Sequence, residues 1–204
     1  MKKIFLTLGL ISIYILIGYT QSDIYLDGYV IKESGDTIFG KLKFLTGERS
    51  CFEIRFIDDN SERIRFKIKD TRAYKRGDEF YIKKIYKRPL TIFNQGCYMK
   101  VLVDGDVKLY RFNYEINTPS GMGLNGEWLP GGSGFCEDYY IEKDGELLLV
   151  DRDEFKDTVS EIFADYYELS EQIKSQSFTY REIVYIVEVY NNKKSNTVHT
   201  DLPQ

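Results

Sequence analysis

The segment S-G-M-G-L-N-G, residues 120–126, has the glycine spacing of a dinucleotide-binding fingerprint. That fingerprint requires a helix directly after the glycines, because the first amides of the helix hold the pyrophosphate. Here the next residues include Pro130 and three glycines, which cannot begin a helix. We therefore predict that the chain binds no nucleotide. The same composition predicts that residues 116–136 form a long, mobile, glycine-rich loop between two hairpins.

The chain has almost none of the residues that histidine-dependent catalysis needs. The only histidine, His199, lies close to the C-terminus, so a serine or cysteine nucleophile lacks a histidine base and a histidine metal site lacks ligands. Chemistry by paired carboxylates, as in glycoside cleavage, remains open, because the chain has 32 acidic residues. The sequence identifies no particular pair. It therefore predicts no catalytic residue, no metal ligand and no cofactor.

Trp128 is the only tryptophan and lies inside the predicted loop, beside Leu129 and Pro130. An aromatic side chain on such a loop can anchor a glycan or a protein partner. The alternative is that Trp128 folds back and fills the core, as isolated large aromatics often do. Trp128 is thus a candidate binding residue with a structural alternative.

Charge is distributed unevenly along the chain. Residues 63–88 contain eleven Lys or Arg against three acids, whereas residues 137–171 contain thirteen acids against three bases. A candidate basic face on one predicted strand consists of Arg63, Arg65, Lys67 and Lys69. This face could bind anionic material such as lipid phosphates or an acidic partner. Alternatively, its charges protect a strand edge from pairing, or face the acidic helices of the same molecule.

The three cysteines, Cys51, Cys97 and Cys136, allow one disulfide and leave one thiol over. The pairing cannot be read from their positions. No C-x-x-C arrangement occurs, so thiol–disulfide catalysis and a zinc knuckle have no support. Small buried apolar residues, with one bridge at most, describe these cysteines best.

The part of the chain before residue 115 alternates between apolar and polar residues. R-I-R-F-K-I-K, residues 63–69, and T-I-F-G-K-L-K-F, residues 37–44, each predict a half-buried strand. The inward side chains are expected to be Ile38, Leu42, Phe44, Ile64, Phe66 and Ile68. Short turn signals, such as Ser34-Gly35 and Asp144-Gly145, separate such runs and predict consecutive antiparallel hairpins.

Residues 151–193 change to a helical period. Apolar residues predicted to face the core are Phe155, Val159, Ile162, Phe163, Leu169, Ile173, Ile183, Val184, Ile186, Val187 and Tyr190. Asp151 with Glu154, and Thr179 with Glu182, have the spacing of capping boxes, and Asp165 is expected to separate two helices. Residues 194–204 are predicted to be a disordered tail. The sequence thus predicts an α+β fold, an antiparallel hairpin-rich body (sheet, sandwich or open barrel) followed by about three helices.

The N-terminus has two lysines, then an apolar stretch, then small or polar residues before Asp23. This order is typical of a secretory signal peptide, which we place at residues 1–20. The alternative is an uncleaved N-terminal anchor. Both interpretations predict that residues 21–193, a single domain, function outside the cytoplasm, in the periplasm or at the cell surface.

Four segments resemble a family of exported Bacteroidota proteins to which no activity is assigned. They are D-G-Y-V-I-K-E-S-G-D-T-I-F-G-K-L-K-F, V-L-V-D-G-D-V-K-L-Y-R-F-N-Y-E, D-Y-Y-I-E-K-D-G-E-L-L-L-V-D-R-D-E-F and I-V-Y-I-V-E-V-Y-N. The resemblance implies an order of strands and helices and a location in the cell envelope. It implies no catalytic residue.

Taken together, these observations predict a non-enzymatic envelope module that binds or scaffolds a protein, a glycan or an anionic lipid. The alternative is a histidine-independent hydrolase of envelope polysaccharide that uses paired carboxylates. A formal net charge of −4 gives no reason to expect nucleic acid as a partner.

Overall fold

Ten antiparallel strands form one continuous sheet in the computed structural model, which describes residues 24–43, 45, 49–87, 94–123, 125–175 and 178–200. A two-stranded ribbon and C-terminal helices complete the α+β fold, as predicted. The strands are β1 (Tyr25–Lys32), β2 (Thr37–Lys43), β3 (Glu53–Ile57), β4 (Arg63–Lys67), β5 (Thr71–Arg76), β6 (Glu79–Lys87), β7 (Asn94–Val103), β8 (Lys108–Thr118), β9 (Gly121–Met122), β10 (Trp128–Leu129), β11 (Gly132–Lys143) and β12 (Glu146–Val150). The expected signal peptide and Phe44 lie outside the described residues.

The strand order is β12-β11-β8-β7-β6-β5-β1-β2-β3-β4, with β9 and β10 forming the separate ribbon. Most neighbours are consecutive hairpins, as the turn signals predicted. At Asp144-Gly145, both residues have positive φ, 53° and 83°, which suits the tight turn between β11 and β12. Two pairings are not consecutive: β1 lies between β5 and β2, and β8 pairs with β11.

Strands β11 and β8, second and third from one edge of the sheet, are buried on both faces where residues 109–110 pair with residues 140–141. Leu109 lies opposite Ile141, and both belong to the core beneath the helices. The next pair, Tyr110 opposite Tyr140, faces the other side and belongs to a second core with Met99. A third core is formed by residues of β1 to β5 and β7, namely Val30, Leu42, Ile54, Phe56, Phe66, Tyr74 and Tyr98.

The helices are α1 (Arg49–Phe52), α2 (Phe155–Ile162), α3 (Tyr167–Ser175) and α4 (Ile183–Thr200). Of the predicted helix-face residues, Ile162 and Val184 are partly buried, and the others are fully buried beneath the helices. Asp165 separates α2 from α3, as predicted. The helix period therefore identified the face that covers the sheet.

The two predicted capping boxes have different outcomes. Glu182 accepts a hydrogen bond from the Thr179 amide at 2.7 Å, so this capping box is confirmed, although it opens a 3-10 turn ahead of α4. Before α2, Asp151 instead accepts the amides of Asp153 and Glu154, at 2.8 and 3.3 Å. Because the N-cap of α2 is Glu154, the predicted box at Asp151 is wrong.

Two segments predicted as irregular form regular secondary structure. Residues 116–136 are not a loop. β8 continues to Thr118 and β11 begins at Gly132, which pairs with Thr118, and the β9–β10 ribbon lies between the two strands in the chain. Pairing across the sheet outweighs the weak strand preference of glycine here. The predicted tail at 194–204 is also wrong in part, because α4 continues to Thr200.

Candidate functional site

A cleft of about 800 Å³ is lined by residues of strands β2, β3, β5, β6, β8 and β11 and of the segment that follows β12. Three arginines from distant parts of the chain line it: Arg76 on β5, Arg111 on β8 and Arg152 after β12. We call it the arginine cleft. Its walls also include aromatic rings and carboxylates, so both apolar and hydrogen-bonding groups face its interior.

The register between β8 and β11 arranges part of the cleft wall. Arg111 lies opposite Tyr139, and Asn113 lies opposite Glu137. The next pair on this face, toward the β9–β10 ribbon, contains Phe135. Alternate residues on a strand share a face, so these pairs form successive rows on one face of the sheet. Phe135, which is 74% exposed, stands at the rim of this row.

Arg76 belongs to a closely bonded group at the cleft wall. Glu79 accepts hydrogen bonds from Arg76 Nη2 at 2.5 Å, from Lys100 Nζ at 2.7 Å and from the Tyr81 hydroxyl at 3.0 Å. Burial of the Glu79 carboxyl favours its neutral form, but the three donors outweigh burial and lower its pKa to about 2. Burial, reinforced by the Glu79 charge, raises the pKa of Tyr81 to about 12.

Arg111 is bound much less tightly. Its Nη1 lies 3.8 Å from Glu137 Oε2, beyond hydrogen-bond distance. Its Nε is buried and, among the described residues, has no hydrogen-bond acceptor. A buried donor without an acceptor is costly unless something else fills the position. The Arg111 guanidinium therefore has an unused hydrogen-bonding edge.

Arg152 frames the same part of the cleft from the other side. Its Nη2 donates to the main-chain oxygen of Glu137 at 3.2 Å, and its guanidinium carbon lies 4.4 Å from the centre of the Tyr180 ring. The Tyr180 hydroxyl in turn receives the Tyr139 amide at 3.0 Å. Arg152 is thus held by a carbonyl and an aromatic face, without a carboxylate in either contact.

The cleft carboxylates are not arranged as an evident catalytic pair. Glu137 and Asp138 are neighbours on β11 and so point to opposite faces of the strand. Consistent with this, Glu137 receives the Tyr139 hydroxyl at 3.4 Å, whereas Asp138 receives the Tyr114 hydroxyl at 3.5 Å. Glu53 forms ion pairs with Arg55 and Arg65. These contacts bind Glu53, Glu137 and Asp138 to basic or phenolic groups rather than to each other.

Trp128 lies on the β9–β10 ribbon, not in the arginine cleft. Its side chain is 68% exposed and lies directly opposite Met122, which is 75% exposed. The interpretation that Trp128 fills the core is therefore wrong. The glycines at 121, 123 and 126 belong to the same ribbon. They are followed by strand β10, whereas a dinucleotide-binding fingerprint requires a helix at this place.

The basic face also lies apart from the cleft. Arg63, Arg65 and Lys67 are exposed on β4, the edge strand of the sheet, while Lys69 is exposed in the 3-10 turn that follows. Arg65 lies 3.7 Å from Glu53. Nearby ion pairs from residues 63–87 run mainly to Glu33 and Glu79, outside the acidic segment 137–171, and Lys84 reaches Glu142 within it. This placement favours protection of a strand edge.

All three cysteines are free thiols, so the one disulfide that the sequence allows is absent from the described structure. Cys51 and Cys97 are buried in one core, as expected of small apolar residues. Cys136 is partly buried and lines the arginine cleft.

Sequence reasoning missed all three cleft arginines. Arg111 could have been noticed as a charged residue between Tyr110 and Phe112, at an alternating position of a predicted strand. The proximity of Arg111 to Glu137 could not have been predicted, because it depends on which strand pairs with β8. Arg76 and Arg152 give no local signal that distinguishes them from surface arginines.

No family model, no curated protein and no solved structure matches this chain. The resemblance to exported Bacteroidota proteins therefore stays a prediction. None of the helices in the described part of the chain has both the length and the apolar character of a membrane-spanning segment.

Proposed function

We propose that the chain is a non-enzymatic binding module of the cell envelope and that the arginine cleft is its binding site. The observation that carries this proposal is the unused Nε of Arg111 in a cleft of about 800 Å³. Ligand sites are typically concave, partly aromatic and equipped with a few fixed polar groups. The cleft has this composition, and the rigid sheet holds its polar groups in place.

A polysaccharide hydrolase is the second candidate, favoured by the four carboxylates of the cleft, Glu53, Glu137, Asp138 and Asp153. Glycoside cleavage requires two carboxyl groups facing one bond, one of them protonated. Glu137 and Asp138 point to opposite faces of β11, and Glu53 is paired with arginines. Binding therefore accounts for the cleft better than catalysis does.

Photo-crosslinking in the native cells tests the proposed site. A photo-reactive residue replaces Asn113 inside the cleft, and a matched variant carries it at Gln172, which is exposed on α3 outside the cleft. We expect a defined adduct from position 113 that is absent from position 172. Equal adducts from both positions, or none from 113, would contradict a binding site in the cleft.

A parallel assay separates the two candidate functions. Purified protein is incubated with envelope polysaccharide, and newly formed reducing ends are measured. We expect no increase over the protein-free control. Turnover that is lost on Glu137→Gln or Asp153→Asn substitution, in variants that remain folded, would establish the hydrolase instead.

Export is tested by mass spectrometry of the native protein. The order of charged, apolar and small residues before Asp23 supports cleavage before Gln21. We expect mature chains that begin at Gln21 in the envelope fraction. Full-length chains recovered from the cytosol would contradict the envelope location.

A further inference from the structure

The donor edge of Arg111 has the form of a carboxylate receptor. A guanidinium binds a carboxylate best through two parallel N–H groups, one of which can be Nε. In Arg111 the Nε is buried without an acceptor among the described residues, and Nη1 has only the distant Glu137 carboxylate at 3.8 Å. The Arg111 side chain as a whole is partly exposed, so a ligand carboxylate at its terminal nitrogens would supply the close acceptor that Glu137 does not provide.

The neighbouring cations are already engaged. Lys100 lies opposite Arg111 in the sheet register, but its Nζ donates to Glu79 at 2.7 Å. Arg76 is bound to the same Glu79, and Arg152 donates to the main-chain oxygen of Glu137. The Nε of Arg76 is, like that of Arg111, buried without an acceptor among the described residues, but Arg76 has a close carboxylate partner. Arg111 has only an ion pair at 3.8 Å, which makes it the anion position that we consider.

The remaining polar groups of the cleft suit a ligand with hydroxyl groups. The carboxylates of Glu137 and Asp153 are hydrogen-bond acceptors in the cleft lining, and Asn113 both donates and accepts. Hydroxyl donors complement such acceptors, whereas a ligand with several anionic groups would be repelled by them. A single carboxylate among several hydroxyls matches this distribution.

An exposed aromatic ring completes the site. Phe135 is 74% exposed and lines the cleft on the same strand face as Glu137, one alternate position away. An aromatic face can pack against the apolar C–H face of a sugar ring. The cleft volume of about 800 Å³ accommodates a short oligosaccharide.

The geometry points to a saccharide that carries one uronic acid as the ligand of the arginine cleft. Arg111 binds its carboxylate, and Glu137 is the internal carboxylate that the ligand partly displaces from Arg111. Phe135 packs against the sugar face. This inference rests on the proposed binding function and adds the chemical class of the ligand.

Calorimetric titration with matched saccharides tests the inference. The full chain is titrated with a panel of short uronic-acid-containing oligosaccharides and with the same saccharides after chemical reduction of their carboxyl groups. We expect at least one acidic member to bind. The affinity of its reduced counterpart should be lower by about tenfold or more, because a charge-assisted bidentate contact is lost.

Variants of the two key residues sharpen the test. Arg111→Gln should weaken binding of the acidic saccharide by about tenfold or more, and Arg111→Lys should restore only part of it, because lysine cannot bind in bidentate fashion. Glu137→Gln should strengthen binding, since it removes the competing carboxylate. Lys174→Gln, at an exposed position of α3 outside the cleft, should change nothing. Thermal melting confirms that each variant is folded.

The outcomes separate the ligand class from the binding site. Equal binding of reduced and acidic saccharides, or binding unaffected by Arg111→Gln, would overturn the inference while leaving the cleft as the site. Tighter, Arg111-dependent binding of an acidic tripeptide would replace the saccharide by a peptide. Adducts at position 113 without binding of any panel member would also overturn the inference. Failure of the position 113 adducts would instead remove the proposed function.

Discussion

Two clusters in this protein have the same three kinds of side chain and opposite degrees of closure. In the closed cluster, Asp165 accepts Lys143 Nζ at 2.6 Å and the Tyr190 hydroxyl at 2.5 Å. In the open cluster, Glu137 lies 3.8 Å from Arg111 Nη1 and 3.4 Å from the Tyr139 hydroxyl. Each has one base, one acid and one tyrosine. The distances decide which cluster has hydrogen-bonding capacity left for a ligand.

The difference follows from the elements that hold each cluster. The closed cluster joins the end of β11 to the α2–α3 connection and to α4, so packing of the helices could bring its members together. The members of the open cluster lie on adjacent strands, where the ladder fixes their spacing. A sheet wall can therefore hold Arg111 and Glu137 near each other without letting them close. We therefore expect the closed cluster to contribute more to stability than the open one, in which Arg111 and Glu137 stay 3.8 Å apart.

The covered end of the sheet should be the most sensitive to truncation. Phe163 is fully buried beneath the helices, and its ring centre lies 4.8 Å from that of Tyr190. We expect Phe163→Ala to lower the free energy of unfolding by about 3–5 kcal/mol, because it leaves a cavity. Urea denaturation measures this. The matched change Phe135→Ala at the exposed cleft rim should cost about 0.5 kcal/mol or less. Similar losses at both positions would contradict the comparison.

The Glu79 group should contribute a pH-dependent part of the stability. Its folded-state pKa of about 2 lies below the ordinary 4.5, so its contribution is present above pH 4.5 and is lost as the pH falls toward 2. Because the side chain is 33% exposed, we expect roughly 2 kcal/mol rather than the full value of the shift.

Urea denaturation across this pH range measures that contribution. The stability difference between the native protein and Glu79→Gln should be largest above pH 4.5 and should shrink below it. Tyr81→Phe retains the ion pairs to Arg76 and Lys100, so it should retain most of the dependence. A difference that is constant with pH would show that Glu79 is not held by these partners.

Matched substitutions compare the two clusters directly. Asp165→Asn removes the charge that Lys143 and Tyr190 both contact, and should cost about 1–2 kcal/mol. Glu137→Gln removes a carboxylate beyond hydrogen-bond distance of Arg111, and should cost about 0.5 kcal/mol or less. Chemical denaturation of both variants at one pH provides the comparison. A larger loss from Glu137→Gln would mean that the open cluster is in fact closed.

The smallest effect is expected at the basic edge. Reversal of Arg63, Arg65, Lys67 and Lys69 to glutamate breaks the ion pair between Arg65 and Glu53, which is long, at 3.7 Å, and exposed on the arginine side. We expect a loss of about 1 kcal/mol or less that decreases with added salt, since screening weakens surface charge interactions. Melting temperatures at low and high salt measure it. Unchanged stability combined with lost retention on anionic vesicles would show instead that this edge binds an outside partner.

The sequence by itself determined the local elements. Alternation at residues 63–67 identified β4 and the burial of Phe66, and the period at 155–190 identified the helix face that covers the sheet. These features depend on neighbours a few positions apart, which a single chain records directly. Turn residues such as Asp144-Gly145 similarly fixed where strands reverse.

Only the tertiary structure decided which strands meet. Alternation states which face a residue occupies but not which strand lies beside it, because strand pairing joins residues distant in the chain. The pairing of β8 with β11 converted a predicted loop into paired strands, placed Arg111 beside Glu137 and left Trp128 exposed on the ribbon. The candidate site depends on this long-range register, because it sets the distance between Arg111 and Glu137, which lie far apart in the sequence.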